Sequence, residues 1–342
     1  MKLTLSRAAR GVGLDVGGGS IKALVLERRR SEVVVVGRGL APVEAEADFA
    51  ELGQAVHAAL ADAGASGEPV IAAVGGPEVV IRVLSLPPVP KAKILPALEL
   101  QHRELGLLPP REAVLDANVL RRSKKDTVSD EILSVSLPRP RLEERMRLLR
   151  QAAVDVKILD VEPLALLNGA IHLTALEPGE LLVLLTVGER TSVLCLFSEQ
   201  GPVVARYLDV GAETFLDQLR SIFPASTGSA KDLVSAIPAA EIAKGEAACR
   251  EIVDRMAEDI RLSLTFYRTE YDRESLPRYA IGGSLDLPYI GRWVADRLGL
   301  GAPLEILDPF KAIDVKVRQS GADMTGSGPR FLQAFGLALR GV

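Results

Sequence analysis

Apolar and polar positions alternate from the start of the readable pattern. Val12, Leu14 and Val16 face one way, Gly17-Gly18-Gly19 makes a turn, and residues 21–26 return as a second strand. Arg28-Arg29-Arg30 reads as a solvated hairpin tip, with a third strand at residues 33–36. The spacing then becomes helical. Over residues 49–63, Leu52, Val56, Ala59 and Leu60 share a face, and a buried strand at residues 70–74 follows. Prolines 87, 88 and 90 are excluded from a helix interior and mark a crossing into a different unit. That unit reads as helix 94–105, strand 113–119, polar loop 121–130, strand 132–137, helix 142–154 and strand 156–161, a small α+β insert. Hairpin strands resume at residues 181–187, 191–197 and 203–208, followed by a helix at 211–222 and a loop-rich stretch at 224–239. A long helix at 246–271, a strand at 279–281, a loop at 318–329 and a closing helix at 331–340 complete the pattern.

The pattern repeats. Leu14-Asp15-Val16-Gly17-Gly18-Gly19-Ser20 aligns without gaps on Leu185-Thr186-Val187-Gly188-Glu189-Arg190-Thr191, at an offset of 186 − 15 = 171 residues, half the chain. Two related lobes are expected, each opening with a three-stranded unit (residues 11–41 and 182–211), their glycine turns facing one cleft. Glycine lets backbone N–H groups approach an anion and form a nest, to which Ser20 and Thr191 add hydroxyls. An acid at the end of the first strand, Asp15, suits a hydrated Mg²⁺, which keeps several waters and few protein ligands.

Composition narrows the function classes. Lys plus Arg number 41 against 45 Asp plus Glu, a net charge of −4 that argues against a broad nucleic-acid surface. No apolar run approaches the ~18–20 residues of a membrane helix. The opening MKLTLSRAAR lacks the apolar segment of a secretory signal. Cys195 and Cys249 stand 54 positions apart with no His nearby, so neither a disulfide framework nor a zinc site is expected. His57, His102 and His172 read as ordinary helix histidines, and the whole fits a reducing, cytosolic compartment.

The stretch GLDVGGGSIKALVL (residues 13–26) resembles the first phosphate motif of the actin, heat-shock chaperone and sugar kinase superfamily. Further segments follow in order: EAVLDANVL (112–120), ILDVEPLALLNGA (158–170), SLTFYR (263–268), AIGGSLDLPYIGRWVADRLGLGAPLEILDPF (280–310) and FGLALRG (335–341). Together they are similar to the PilM family of actin-like type IV pilus assembly proteins. The resemblance implies an α/β, two-lobed actin-like fold with a small inserted α+β domain of the kind shared with FtsA. The units would be 1–80 and 160–180 (first lobe), 81–159 (insert) and 181–342 (second lobe). It also implies ATP or ADP with Mg²⁺ in the cleft. Asp15 would face the metal through water. Gly17, Gly18, Gly19 and Ser20 would wrap the phosphates, with Lys22 reaching them from Ser20's strand face. Gly188 and Thr191 would form the second turn, and Gly282 and Gly283 would lie at the adenosine end.

The implied partner is a PilN-like inner-membrane protein, whose cytoplasmic N-terminal peptide would lie between the insert and the first lobe. The protein would then be cytoplasmic and peripheral to that membrane. Four departures from the family pattern weaken the nucleotide chemistry. Thr186 replaces an Asp, Glu189 and Arg190 replace small residues, Leu107-Leu108-Pro109-Pro110 replaces a Pro-aromatic-Pro stretch, and the glycine run of the adenosine motif is shortened to Gly282-Gly283-Ser284. Weak binding without hydrolysis is expected, and no catalytic residue is assigned. Two alternatives are a sugar-kinase-like phosphotransferase, for which the insert and Thr186 are wrong, and an FtsA-like division protein. The latter is expected to carry an amphipathic C-terminal membrane helix, whereas this sequence stops at Val342, just after its closing helix.

Overall fold

Strand alternation is realised as two sheets of the same design. β1 (Arg10–Val16), β2 (Ser20–Arg29) and β3 (Glu32–Pro42) form an antiparallel meander. After α1 (Phe49–Asp62), β4 (Val70–Val74) adds in parallel beside β1. The computed structural model describes residues 9–30, 32–44, 46–105, 113–122, 129–198, 201–223, 239–271, 275–284, 287–316 and 327–342. The Leu107–Pro110 segment, most of the polar loop at 121–130 and the loops expected at 224–239 and 318–329 lie largely outside those residues. Helix α1 starts where the sequence offers a capping box: Asp48 accepts from the Ala50 and Glu51 amides, and Glu51 accepts from the Asp48 amide at 2.8 Å.

The insert opens with a strand that the sequence pattern did not suggest, β5 (Val80–Leu86). It continues through α2 (Lys91–Glu104), β6 (Ala113–Arg121), β7 (Asp130–Pro138) and α3 (Arg139–Gln151). Its three strands form a separate sheet in the order β5-β7-β6. Helix α3 begins three residues before the expected position because Pro140 suits its first turn, and it ends before Ala153, whose φ is +48°. The next strand, β8 (Val156–Val161), pairs with β4 and closes the first-lobe sheet as β3-β2-β1-β4-β8. Residues 156–159 therefore pair within the first lobe, and the chain leaves the insert near Asp155, short of the expected 159.

After α4 (Glu162–Leu173), the design recurs. β9 (Glu180–Val187), β10 (Ser192–Ser198) and β11 (Gly201–Leu208) form the second meander. α5 (Ala212–Ile222), α6 (Ile242–Ala248) and α7 (Arg250–Tyr271) follow. The expected long helix at 246–271 is thus two, meeting at buried Cys249. β12 (Leu276–Gly283), α8 (Leu287–Leu298) and β13 (Glu305–Ile306) complete a sheet ordered β11-β10-β9-β12-β13, the counterpart of the first.

The closing helix α9 (Leu332–Leu339) departs from the expected division at residue 181. It packs on the first lobe, where Phe331, Ala334, Phe335 and Ala338 bury against Leu24, Leu26 and Val35. Each fully buried large side chain contributes roughly 1.5–3 kcal/mol to that attachment. Helix α4 does the reverse, with Leu166, Leu167 and Ala170 beneath Leu182, Leu184 and Val193 of the second sheet. The two helices cross between the sheets in near backbone contact. A methyl group on Gly336 would lie 1.8 Å from the Ala165 carbonyl oxygen, so only glycine permits that crossing.

Candidate functional site

Both glycine turns line one cleft of about 310 Å³ between the lobes. They are the same turn. The Gly17 amide donates to Ser20 O at 3.2 Å, and the Gly188 amide donates to Thr191 O at 3.1 Å. Strand register places Lys22 directly across from Asp15. Lys22 Nζ donates to Asp15 Oδ2 at 3.0 Å, and both residues are buried, with 6% and 5% exposure. Asp15, Gly17, Gly18, Lys22, Gly188, Thr191 and Gly283 line the cleft, whereas Gly19, Ser20 and Gly282 do not. Gly19 is covered by Glu189: a methyl group there would meet Glu189 Cγ at 2.5 Å. Arg330 Nη2 lies 3.4 Å from both Ser20 Oγ and Glu189 Oε1, tying the two turns together. Gly282 faces Leu332. Gly283 has φ +120°, and a Cβ would fall 2.0 Å from Val187 O, so strand packing alone already demands glycine there.

Several cleft residues had no assigned role in the sequence. From α3, Arg145 Nη1 donates to Val16 O at 3.2 Å and Arg141 Nε donates to Gly75 O at 3.0 Å. Burial lowers the Arg145 pKa, and neighbouring Arg141 adds to that. Their i,i+4 spacing within a basic helix was the available signal. Glu162 opens α4, in the Glu-Pro pair of a quoted motif, and accepts from the Tyr207 hydroxyl at 2.9 Å. Burial first, then the Asp15 charge, raises its carboxyl above the ordinary range. Burial likewise raises the Tyr207 phenol.

The donor set favours an anion. Thr186 Oγ1 and Arg330 Nε are buried polar atoms without a hydrogen-bond partner, and both residues line the cleft. It does not suit a hydrated Mg²⁺. Asp15 is committed to Lys22, Thr186 carries no charge, and Glu162 is biased toward its neutral form.

A second concavity, of about 620 Å³, separates the insert from the first lobe. Two sheet edges frame it: β6 at the edge of the insert sheet and β8 at the edge of the first-lobe sheet. Leu133, Leu137, Leu142, Val74 and Leu164 form its apolar lining, and Arg340 Nη1 pairs with Asp160 Oδ2 at 2.6 Å beside it.

The family model described as type IV pilus assembly protein PilM matches residues 13–342. The chain belongs to the PilM family. This places it in type IV pilus assembly rather than with the sugar kinases or FtsA. Among solved structures, a PilM-PilN type IV pilus biogenesis complex overlays with a TM-score of 0.79 at 22% identity, covering 97% of this chain and 98% of that one. The ethanolamine utilization protein EutJ from Carboxydothermus hydrogenoformans overlays at 0.54 with 13% identity, covering 96% and 89%. An archaeal actin homolog, Ta0583, gives 0.48 with 14% identity over 96% and 98%. Comparison with curated protein sequences gives no match. The actin-like fold implied by the motifs is the fold of this PilM-family chain. Among the described residues, no helix is long and apolar enough to cross a membrane.

Proposed function

We propose that this PilM-family chain is a scaffold that seats an extended, mainly apolar N-terminal peptide of a PilN-like inner-membrane protein. The seat is the groove between the insert and the first lobe, and the chain thereby joins the membrane platform to cytosolic pilus machinery. One observation carries the reading: two sheet-edge strands, β6 and β8, flank an apolar floor. A sheet edge offers unpaired N–H and C=O groups to an added strand, and alternate side chains of that strand reach pockets below. That a PilM-PilN complex shares this fold supports the choice of partner. The cleft between the lobes would hold the phosphates of a nucleotide, as a conformational ligand rather than a substrate.

The test is fluorescence anisotropy with a labelled synthetic N-terminal peptide of the PilN-like protein. Leu137→Glu, which places a charge on the groove floor, should weaken binding at least about tenfold. Leu262→Glu, on the exposed face of α7, should leave it unchanged. Equal binding by the Leu137 variant would place the peptide elsewhere.

A further inference from the structure

Resting on the reading of the cleft as a nucleotide site, we propose that its polyphosphate is held by side-chain cations in place of a divalent metal, with Arg141 and Arg145 as the decisive pair. Five cationic residues line the cleft among those described: Lys22, Arg141, Arg145, Arg190 and Arg330. The lining carboxylates are Asp15, Glu162 and Glu189. Two of these acids are already matched, Asp15 by Lys22 at 3.0 Å and Glu189 by Arg330 at 3.4 Å. Glu162 is hydrogen-bonded by the Tyr207 hydroxyl. Mg²⁺ at a phosphate site relies on one or two available carboxylates plus water. Here Asp15 is already paired with the Lys22 ammonium, and the repeat-equivalent position is Thr186, which has no charge.

The arginines fill the gap from the insert. Arg145 makes no ion pair among the described residues, and its hydrogen bond there goes to a neutral acceptor, the Val16 carbonyl just before the Gly17 turn. Arg141 reaches the Gly75 carbonyl on the neighbouring strand end and pairs with the half-exposed Glu144. The two like charges stand one helical turn apart and repel each other until an anion comes between them. A guanidinium presents five donors in a planar fork that matches phosphate oxygens two at a time, and it stays charged in a buried site. The unpartnered Thr186 Oγ1 and Arg330 Nε supply further polar atoms for the same anion. The insert is thus part of the phosphate site as well as a wall of the groove, since Leu142 of the same helix lines the latter.

The experiment is titration calorimetry of the full chain with ATP, once in excess MgCl₂ and once in EDTA. The expected result is a Kd unchanged within about threefold between the two buffers. Arg145→Gln should weaken binding at least about tenfold in both, as expected for loss of a charge-assisted hydrogen bond. Asp15→Asn, which frees Lys22, should hold or tighten binding. Arg141→Gln, at a half-buried position, repeats the test should the Arg145 variant fail to fold, with circular dichroism reporting the fold of each. A loss of tenfold or more in EDTA, or abolition by Asp15→Asn with the arginine variants unaffected, overturns the proposal while leaving the nucleotide reading intact. No binding in either buffer overturns that reading and the proposal together.

Discussion

The two glycine turns descend from one pattern and share a backbone, yet they do different things. Each closes with an amide-to-carbonyl bond across four residues, at 3.2 Å in the first and 3.1 Å in the second, and each sits at the tip of the middle strands of an equivalent sheet. The first turn is bare glycine flanked by a buried ion pair. In the second, Gly18 and Gly19 become Glu189 and Arg190, Asp15 becomes Thr186, and Lys22 becomes the buried apolar Val193. The second turn is also fixed from behind, because the Ala212 and Glu213 amides at the start of α5 bond the Gly188 and Glu189 carbonyls. The first turn takes part of its support from the insert, through Arg145 on Val16 O. The fold is therefore indifferent to the chemistry at these positions. Strand pairing and the first glycine of each turn set the backbone, and a few side chains set what it can bind.

The largest effect expected from this contrast is on stability. Lys22→Met leaves the Asp15 carboxylate buried and unpaired, and breaking one side of a buried pair costs about 3–5 kcal/mol. The double change Asp15→Asn with Lys22→Met should recover most of that, since an apolar and polar-neutral replacement removes both desolvated charges. At the equivalent position in the second lobe, Val193→Ala should cost roughly 2 kcal/mol, from lost burial and a cavity rather than a stranded charge. Urea unfolding measures all three. If Lys22→Met costs no more than Val193→Ala, the ion pair is not what distinguishes the first turn.

A smaller effect tests the chemistry. Thr186→Asp with Glu189→Ala makes the second turn more like a paired phosphate site and removes the carboxylate lying over Gly19. In excess Mg²⁺, nucleotide affinity should tighten about ten- to a hundredfold, the equivalent of roughly 1.5–3 kcal/mol for one charged partner. The new carboxylate should also make binding respond to Mg²⁺. The unmodified chain should release no phosphate above a protein-free control, because neither Thr186 nor an Asp15 tied to Lys22 positions a water on a metal-held phosphate. Steady phosphate release by the unmodified chain, lost on Asp15→Ala, would show that the second turn is more active than its side chains suggest.

The duplication was legible because hairpins announce themselves locally: period-two strands, a glycine turn and a hydroxyl residue recur at one offset. Placement over long separations was not. Helix α9 has the same apolar stripe wherever it docks, and its attachment to the first lobe depends on partners about 300 residues away, such as Leu24 against Phe335. Arg141 and Arg145 drew no role from the sequence because nothing in their own helix indicates an acceptor such as Val16 O, 129 residues before Arg145. Glu162 lay inside a segment used for the family resemblance, yet its burial beside Asp15 and Tyr207 exists only once both lobes have closed on α4. The adenosine-side glycines illustrate the converse. Gly283 was legible as a required glycine, but the atom requiring it is Val187 O.

The most delicate difference between the lobes is electrostatic and reads out in pH. Glu162 belongs to the helix that links them, and its carboxyl is raised mainly by burial and secondly by Asp15, while Tyr207, Arg145 and Lys22 pull it down. A raised native value means that the folded state holds the proton more tightly than the unfolded chain, whose carboxyl titrates at about 4.3. The stabilisation from this group is then complete below that unfolded value and is lost as pH rises through the native one. Glu162→Gln keeps the shape and an oxygen acceptor for the Tyr207 hydroxyl but cannot ionise. Its urea midpoint relative to the unmodified chain should therefore climb as pH rises from about 4 toward neutrality. Asp15→Asn in the unmodified background removes the first-lobe charge facing Glu162 and should shift that climb to lower pH. Tyr207→Phe, which removes the second-lobe hydrogen bond, should shift it to higher pH. Opposite shifts from the two neighbours would establish Glu162 as the point where the unlike chemistries of the lobes meet, and parallel pH profiles for Glu162→Gln and the unmodified chain would remove it from that position.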